Sequence, residues 1–308
     1  MSDQRGAGIA WTDESWNPIR GCARVSEGCR NCYAERLAAR FSGAGQAYRG
    51  LARMTAAGPR WTGQVRFVED HLLDPLRWRR PRRVFVNSMS DLFHDGVSDE
   101  EVDRIFAVMA LAPWHQFQAL TKRPGRMVAY FLGLAVSGEA RGLLAVPWAG
   151  GVAREITPDW LGRLRQIPKG LPNVWLGVSV EDQATADERI PLLLQTPAAV
   201  RWVSAEPLLS ALDLTGWLGE CCGYPRRELV AGEHHEVCCG SRMEQLDWVM
   251  VGGESGPGAR PMRAEWAESL QRQCAAAGVP FFMKQMDGKR KVLADFPEAL
   301  RVRAYPNV

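Results

Sequence analysis

No stretch of this chain approaches the roughly eighteen consecutive apolar residues that a membrane-crossing helix needs. The first residues, MSDQRGAGIAWTDESW, are polar and lack the apolar run of a signal peptide. The expected location is therefore the cytoplasm, with no membrane partner. In that reducing compartment clustered cysteines are more often metal ligands or catalytic groups than disulfides. Lysine is scarce, 5 residues against 33 arginines, and the net charge is only +3, so composition alone does not call for a polyanionic partner. No short-period repeat is present. The glycine-rich turn that a doubly wound nucleotide-binding sheet places after its first strand is also missing. A chain of 308 residues is still long enough for one large domain with a core that needs no disulfide staples.

What the sequence does contain is a recurring pair: a short, nearly continuous apolar run followed by polar residues. RRVFVNSMSD ends in Ser88, Ser90 and Asp91, HQFQALTKRP in Thr121, Lys122 and Arg123, and NVWLGVSVED in Ser179, Glu181 and Asp182. VRWVSAEPLL ends in Ser204 and Glu206, LDWVMVGGES in Gly252, Gly253, Glu254 and Ser255, and VPFFMKQMDG in Lys284 and Gln285. Such runs read as strands buried on both faces of a parallel sheet. Between them lie helical patterns. Ser98 and Glu101 have capping-box spacing, and Trp266, Leu270 and Cys274 share a face that Gly278 terminates, so Cys274 reads as core. The expected fold is α/β, a complete or partial (β/α) barrel with its polar residues on the rim at the C-terminal ends of the strands. It forms one domain over 1–308, with insertions at 133–170 and 216–246; an open doubly wound sheet is the alternative.

GCARVSEGCRNCYAERLAARF sits before the first of these runs and places Cys22, Cys29 and Cys32 as C-x6-C-x2-C at an expected strand-to-helix turn. A closed zinc site needs four ligands, and a distant His or Cys would have to complete it. A redox dithiol needs only two cysteines. Three thiolates on one turn also fit a 4Fe-4S cluster with one iron left open. A second cluster, Cys221, Cys222, Cys238 and Cys239 with His234 and His235, lies inside the 216–246 insertion. It suggests Zn2+, or an auxiliary Fe-S cluster, although adjacent thiols rarely reach one ion comfortably. RWRRPRR supplies Arg77, Arg79 and Arg80 as candidate phosphate contacts, and Lys122, Arg123 and Lys284 add positive charge to the rim.

WTDESWNPIRGCARVSEGCRNCYAERLAARF, FVNSMSDLFH, LTKRP, WLGVSVED, VSAEPLL, VGGESGPGARPM and FFMKQ together resemble a phage and bacterial family of radical-SAM-like proteins with a three-cysteine motif, and are similar to actinobacterial spore photoproduct lyase-like proteins. The resemblance implies a 4Fe-4S cluster on Cys22, Cys29 and Cys32 that binds S-adenosylmethionine at its open iron and cleaves it to a 5'-deoxyadenosyl radical. It implies Ser88, Ser90 or Asp91 at the cofactor amino group, and Ser179 and Glu181 at its ribose. Gly252, Gly253 and Glu254 would lie along its methionine or adenine part, with Glu206 balancing a rim cation. It further implies an electron donor such as a flavodoxin or ferredoxin, and DNA or another nucleic acid as substrate for lyase or modification chemistry. Two departures stand out. The usual motif is C-x3-C-x2-C with an aromatic residue before the last cysteine, whereas here Asn31 precedes Cys32 and Tyr33 follows it. The competing expectations are a zinc-bearing nucleic-acid-binding protein without catalysis, and a radical SAM enzyme acting on a peptide or small metabolite.

Overall fold

The computed structural model describes residues 9–136, 170–219, 245–256, 258–286 and 293–307, with short strands at 144–146, 154–156, 226–230 and 233–237. Seven strands form the main sheet: β1 (Glu14–Trp16), β2 (Arg83–Val86), β3 (Gln116–Thr121), β4 (Val174–Val180), β5 (Val200–Ala205), β6 (Trp248–Gly252) and β7 (Phe281–Gln285). Every strand pairs in parallel with the next one in the chain. The winding therefore never reverses, which separates this fold from a doubly wound sheet. The sheet curls into a half-barrel, a partial (β/α) barrel.

Five helices matter for the site: α1 (Tyr33–Arg40), α2 (Asp99–Leu111), α3 (Pro124–Val136), α4 (Gln183–Leu193) and α5 (Ala264–Ala277). Ser98 and Glu101 make the expected reciprocal cap on α2, and Asp182 with Thr185 makes another on α4. α5 stops at Gly278, whose φ of 68° is one that side-chain-bearing residues seldom adopt. Cys274 is fully buried in that helix, as the periodicity implies. Among the described residues no helix is long and apolar enough to cross a membrane.

Because strand side chains alternate between faces, one set of residues meets the helices and the other lines the concave side. Val84, Val86, Leu176, Val178, Val203, Val249 and Val251 pack outward with Ile105, Ile190 and Leu270 of the helices. Phe85, Trp175, Trp202, Trp248 and Phe282 face inward, the last four from the N-terminal halves of their strands, and Trp11 packs among them. Ring centroids of Trp11 and Trp202 are 5.3 Å apart, and those of Trp202 and Trp248 5.4 Å. Gly177 makes room for this plug, since a Cβ there would strike the Trp202 indole. The chain's last described segment covers the β7 edge: Met283 N–H donates to Val302 O at 2.9 Å, and Ala304 N–H to Phe281 O at 2.9 Å.

The RWRRPRR arginines enter β2 at this plugged end, opposite the cysteines. Arg82 pairs with Glu14 at 2.6 Å and Arg77 with Asp74 at 3.2 Å. Arg83 pairs with Asp13 and lies 4.2 Å over the Tyr305 ring. Arg79 and Arg80 are exposed there.

Candidate functional site: a thiol loop strapped to the barrel mouth

From the end of β1 the chain runs into a loop that carries the three cysteines and enters α1 at Tyr33. Gly21, just ahead of Cys22, has φ 95° and abuts the Gln64 carbonyl, so both conformation and space select glycine there. A tight turn then brings Cys29 N–H to Ser26 O at 3.0 Å, and Cys32 N–H reaches Cys29 O at 3.4 Å. Cys22, Cys29 and Cys32 are free thiols, and all three line a single cavity of about 240 Å³ at the mouth of the half-barrel. Burial, and then the Asp91 carboxylate, pushes the Cys22 thiol up to about 12, and burial raises Cys32 as well. A metal or cluster arriving here must displace protons, so uptake favours higher pH.

Four strand ends hold this loop. After β2, the Ser88 carbonyl accepts from the Tyr33 hydroxyl at 2.8 Å. After β3, Arg123 donates to Asp91 at 3.0 Å and to the Ala23 carbonyl at 3.1 Å, placing its charge beside Cys22. At the end of β4, Glu181 accepts from the Ser26 hydroxyl at 2.8 Å while paired with Lys122 and with Arg189 at 3.2 Å. After β6, Glu254 accepts from Asn31 at 2.8 Å and from the Arg260 guanidinium at 2.7 Å, and Arg260 also donates to Glu27 O at 2.9 Å. The loop and Glu181 fit so closely that a Cβ on Gly28 would collide with that carboxylate. From its other side the loop is held by Glu35 on α1, buried, which pairs with Arg24 and accepts from Trp61 N–H at 2.8 Å.

Burial alone would raise the Glu181 and Glu254 carboxyls. The cations around Glu181, and the donors Arg260 and Asn31 around Glu254, outweigh it and hold both below the ordinary value of 4.5. Both are therefore ionised at neutral pH.

The cavity gathers most of the rim residues named from sequence: Ser88, Ser90, Asp91, Lys122, Arg123, Ser179, Glu206, Gly253, Glu254 and Lys284 all line it. Several are already engaged within the protein. Ser88 donates to Asn17, Ser90 to the Ile19 carbonyl, and Ser179 to the Glu206 carbonyl. Asp91 accepts from Thr121 at 2.7 Å and from Lys122 N–H at 3.1 Å. Lys284 pairs with Glu206 at 3.0 Å, the balance anticipated for that carboxylate. A Cβ on Gly252 would collide with Glu206, so this glycine makes room for a neighbouring side chain. Glu181 is turned toward the loop and its cations and does not line the cavity. Arg77, Arg79 and Arg80 stand at the far end of the barrel, away from the other candidates.

Asn87 is a cavity residue that the pattern of strand ends did not single out. It has φ 61°, is buried, and its Nδ2 has no partner among the described residues. A buried unpartnered donor is costly unless a ligand or water meets it. Asn31, Ser26, Arg189 and Arg260 also lie outside that pattern: Asn31 and Ser26 meet partners 223 and 155 residues away, and Arg260 reaches Glu27 across 233, while Arg189 meets Glu181 only 8 residues away. Among the described residues no three Cys, His, Asp or Glu groups stand where they could share one metal ion. The candidates Cys221, Cys222, Cys238 and Cys239 lie outside the described residues. His234 and His235 fall on a strand of the 226–237 hairpin, with their side chains outside that description.

A family description, "Protein of unknown function (DUF5131)", matches residues 6–299. The chain belongs to the DUF5131 family. No curated protein and no solved structure matched in the same comparisons. This DUF5131 protein thus joins a half-barrel consistent with a radical-SAM-like fold to a strapped loop of three thiols at its mouth.

Proposed function

We propose that Cys22, Cys29 and Cys32 hold a 4Fe-4S cluster with one open iron, and that this DUF5131 protein is a radical SAM enzyme. The observation that carries the reading is the shared cavity: three free thiols line one cavity at the C-terminal rim of a parallel half-barrel. A mononuclear zinc site would draw its thiolates to one point, and the described residues offer no such set. In a cluster each thiolate takes a different iron, and three suffice when the fourth iron is reserved for a ligand. When bound, such a cluster supplies a single electron for reductive cleavage of the S-adenosylmethionine sulfonium.

This chain's own residues would do the positioning. The straps from Arg123, Glu181 and Glu254 hold the thiol loop against the rim before any cofactor arrives, so little ordering is left for the binding step. Asn87 Nδ2 offers a donor to a cofactor acceptor such as a carboxylate, and the Ser179 and Ser204 hydroxyls stand deeper on the same concave face. The tryptophan plug closes the cavity from below and keeps bulk water away from reactive species.

The test is anaerobic reconstitution with iron and sulfide, followed by assay for 5'-deoxyadenosine after S-adenosylmethionine and dithionite are added. The wild type should form it and Cys29→Ala should not. Formation at wild-type rate in Cys29→Ala, or a colourless protein containing zinc alone, contradicts the reading; the zinc result favours a non-catalytic binding protein.

A further inference from the structure

The arginine run at 77–83 lies at the closed end of the barrel, yet the cysteine side has arginines of its own. Beside the thiol loop, between α1 and the hairpin formed by Ala52–Thr55 and Gly58–Trp61, runs an open groove of about 1530 Å³. Arg24, Arg30, Arg36, Arg40 and Arg60 line it, against two glutamates. Arg24 is committed to Glu35, and Arg36 donates to Ser255 O at 2.7 Å. Among the described residues the Arg30 side chain makes only a solvent-exposed 3.8 Å contact with Glu27. Arg40 is exposed, and Arg60 donates to the neighbouring Pro59 carbonyl.

A second feature runs along α1, where Tyr33 and Leu37 line the groove and Phe41 continues the row just beyond its lining. Tyr33, Leu37 and Phe41 are all at least 40% exposed and recur every fourth residue along α1 and its C-terminal cap. That spacing places them on one side of the helix, about 6 Å apart along its axis. An exposed apolar row of this kind is a mark of contact with a partner. An acidic peptide would account for the arginines but not for the rings. An apolar ligand would account for the rings but not for the arginines. Single-stranded nucleic acid carries both complements, phosphates for the cations and base faces for aromatic and aliphatic side chains. The groove also exceeds the roughly 300–1,000 Å³ of small-molecule sites, which suits a polymer. Cys32 and Tyr33 line both groove and cavity, so the two meet at Tyr33.

We propose that this groove binds single-stranded nucleic acid, with phosphates on Arg30, Arg40 and Arg60 and bases against Tyr33, Leu37 and Phe41. One nucleotide turns at Tyr33 into the thiol-lined cavity. The last step rests on the radical SAM reading; the binding does not, and it is measured separately.

The experiment is fluorescence anisotropy of a labelled oligothymidylate about 20 nucleotides long, titrated at low salt with full-length protein lacking a cluster. Arg30→Ser/Arg40→Ser should weaken binding at least tenfold and flatten the salt dependence by about 1.4 in log–log slope, the share of two phosphate contacts on a single strand. Phe41→Ala should weaken it about fivefold or more at unchanged salt slope. Arg79→Ser/Arg80→Ser should bind as wild type does. All these side chains are exposed, and thermal melts of each variant establish that it is folded. Absence of oligonucleotide binding overturns the proposal, as does loss of binding in Arg79→Ser/Arg80→Ser with the groove variant unaffected. Equal affinity for labelled polyglutamate, insensitive to Phe41→Ala, overturns it in favour of an acidic peptide. Because this readout needs no cluster, its failure leaves the 5'-deoxyadenosine test standing, and the reverse holds too.

Discussion

At the N-terminal ends of the strands, Trp175, Trp202, Trp248 and Phe282 fill the concave side against Trp11. A few residues further along the same strands stand Ser179, Glu181, Ser204, Glu206 and Lys284, crossed by ion pairs and bonded to the cysteine loop. The bottom is held by burial, which has no direction and tolerates exchange of one apolar shape for another. The top is held by directional bonds between buried charges, where removing one partner strands the other. One end of the half-barrel therefore serves stability, and the other serves the placement of three thiols. Mutations at the two ends should separate along that line.

The largest effect is expected for Glu181→Ala. It leaves Lys122 and Arg189 without their carboxylate and releases Ser26, so denaturant unfolding should show a loss of about 3–5 kcal/mol. Iron retained per folded chain after reconstitution should fall as well. If iron uptake is unchanged, the strap does not position the loop. Trp202→Ala should cost a similar 3–5 kcal/mol by leaving a cavity in the plug, yet its folded fraction should take up iron as the wild type does. A selective loss of iron in that variant would dissolve the contrast between the two ends. Gly28→Ala forces a methyl group into the Glu181 carboxylate. A stability loss of about 1–3 kcal/mol is expected, with iron uptake reduced out of proportion to it; a variant indistinguishable from wild type would show that the loop moves freely.

The smallest effect is a pH dependence. Glu181 and Glu254 have lower affinity for protons when folded than the ordinary value of 4.5 describes. Their contribution is complete above that value and disappears as pH falls through the lower, folded-state values. Stability followed by near-ultraviolet circular dichroism should therefore drop on the acid side. Glu254→Gln should flatten part of that limb, and an unchanged limb would mean that other carboxylates set it.

Much of the barrel is legible in the sequence because buried parallel strands are continuous apolar runs with polar residues at one end. Six of the seven strands announce themselves in that way. β1, only Glu14–Trp16, is legible through the cysteine turn that follows it. The caps at Ser98 and Gly278 are legible for the same local reason: their partners lie within a few residues. The straps are not. Asn31 meets Glu254 across 223 residues and Ser26 meets Glu181 across 155, and nothing local to Asn31 or Ser26 marks them as fasteners. Arg77 to Arg83 stand out as a run but belong to the opposite end, where Asp13, Glu14 and Asp74 engage three of them. The arginines of the groove are dispersed through the loop, α1 and the hairpin, so only folding gathers them.

The central claim is that three thiolates carry a cluster whose fourth iron is open. Its most direct test is electron paramagnetic resonance of the reduced, reconstituted protein with and without S-adenosylmethionine, alongside iron and sulfide analysis. The account predicts about four irons and four sulfides per chain, a signal that shifts when S-adenosylmethionine is added, and loss of both in Cys22→Ala, Cys29→Ala and Cys32→Ala. Zinc alone with no iron, or a cluster signal that S-adenosylmethionine leaves unchanged, would contradict it.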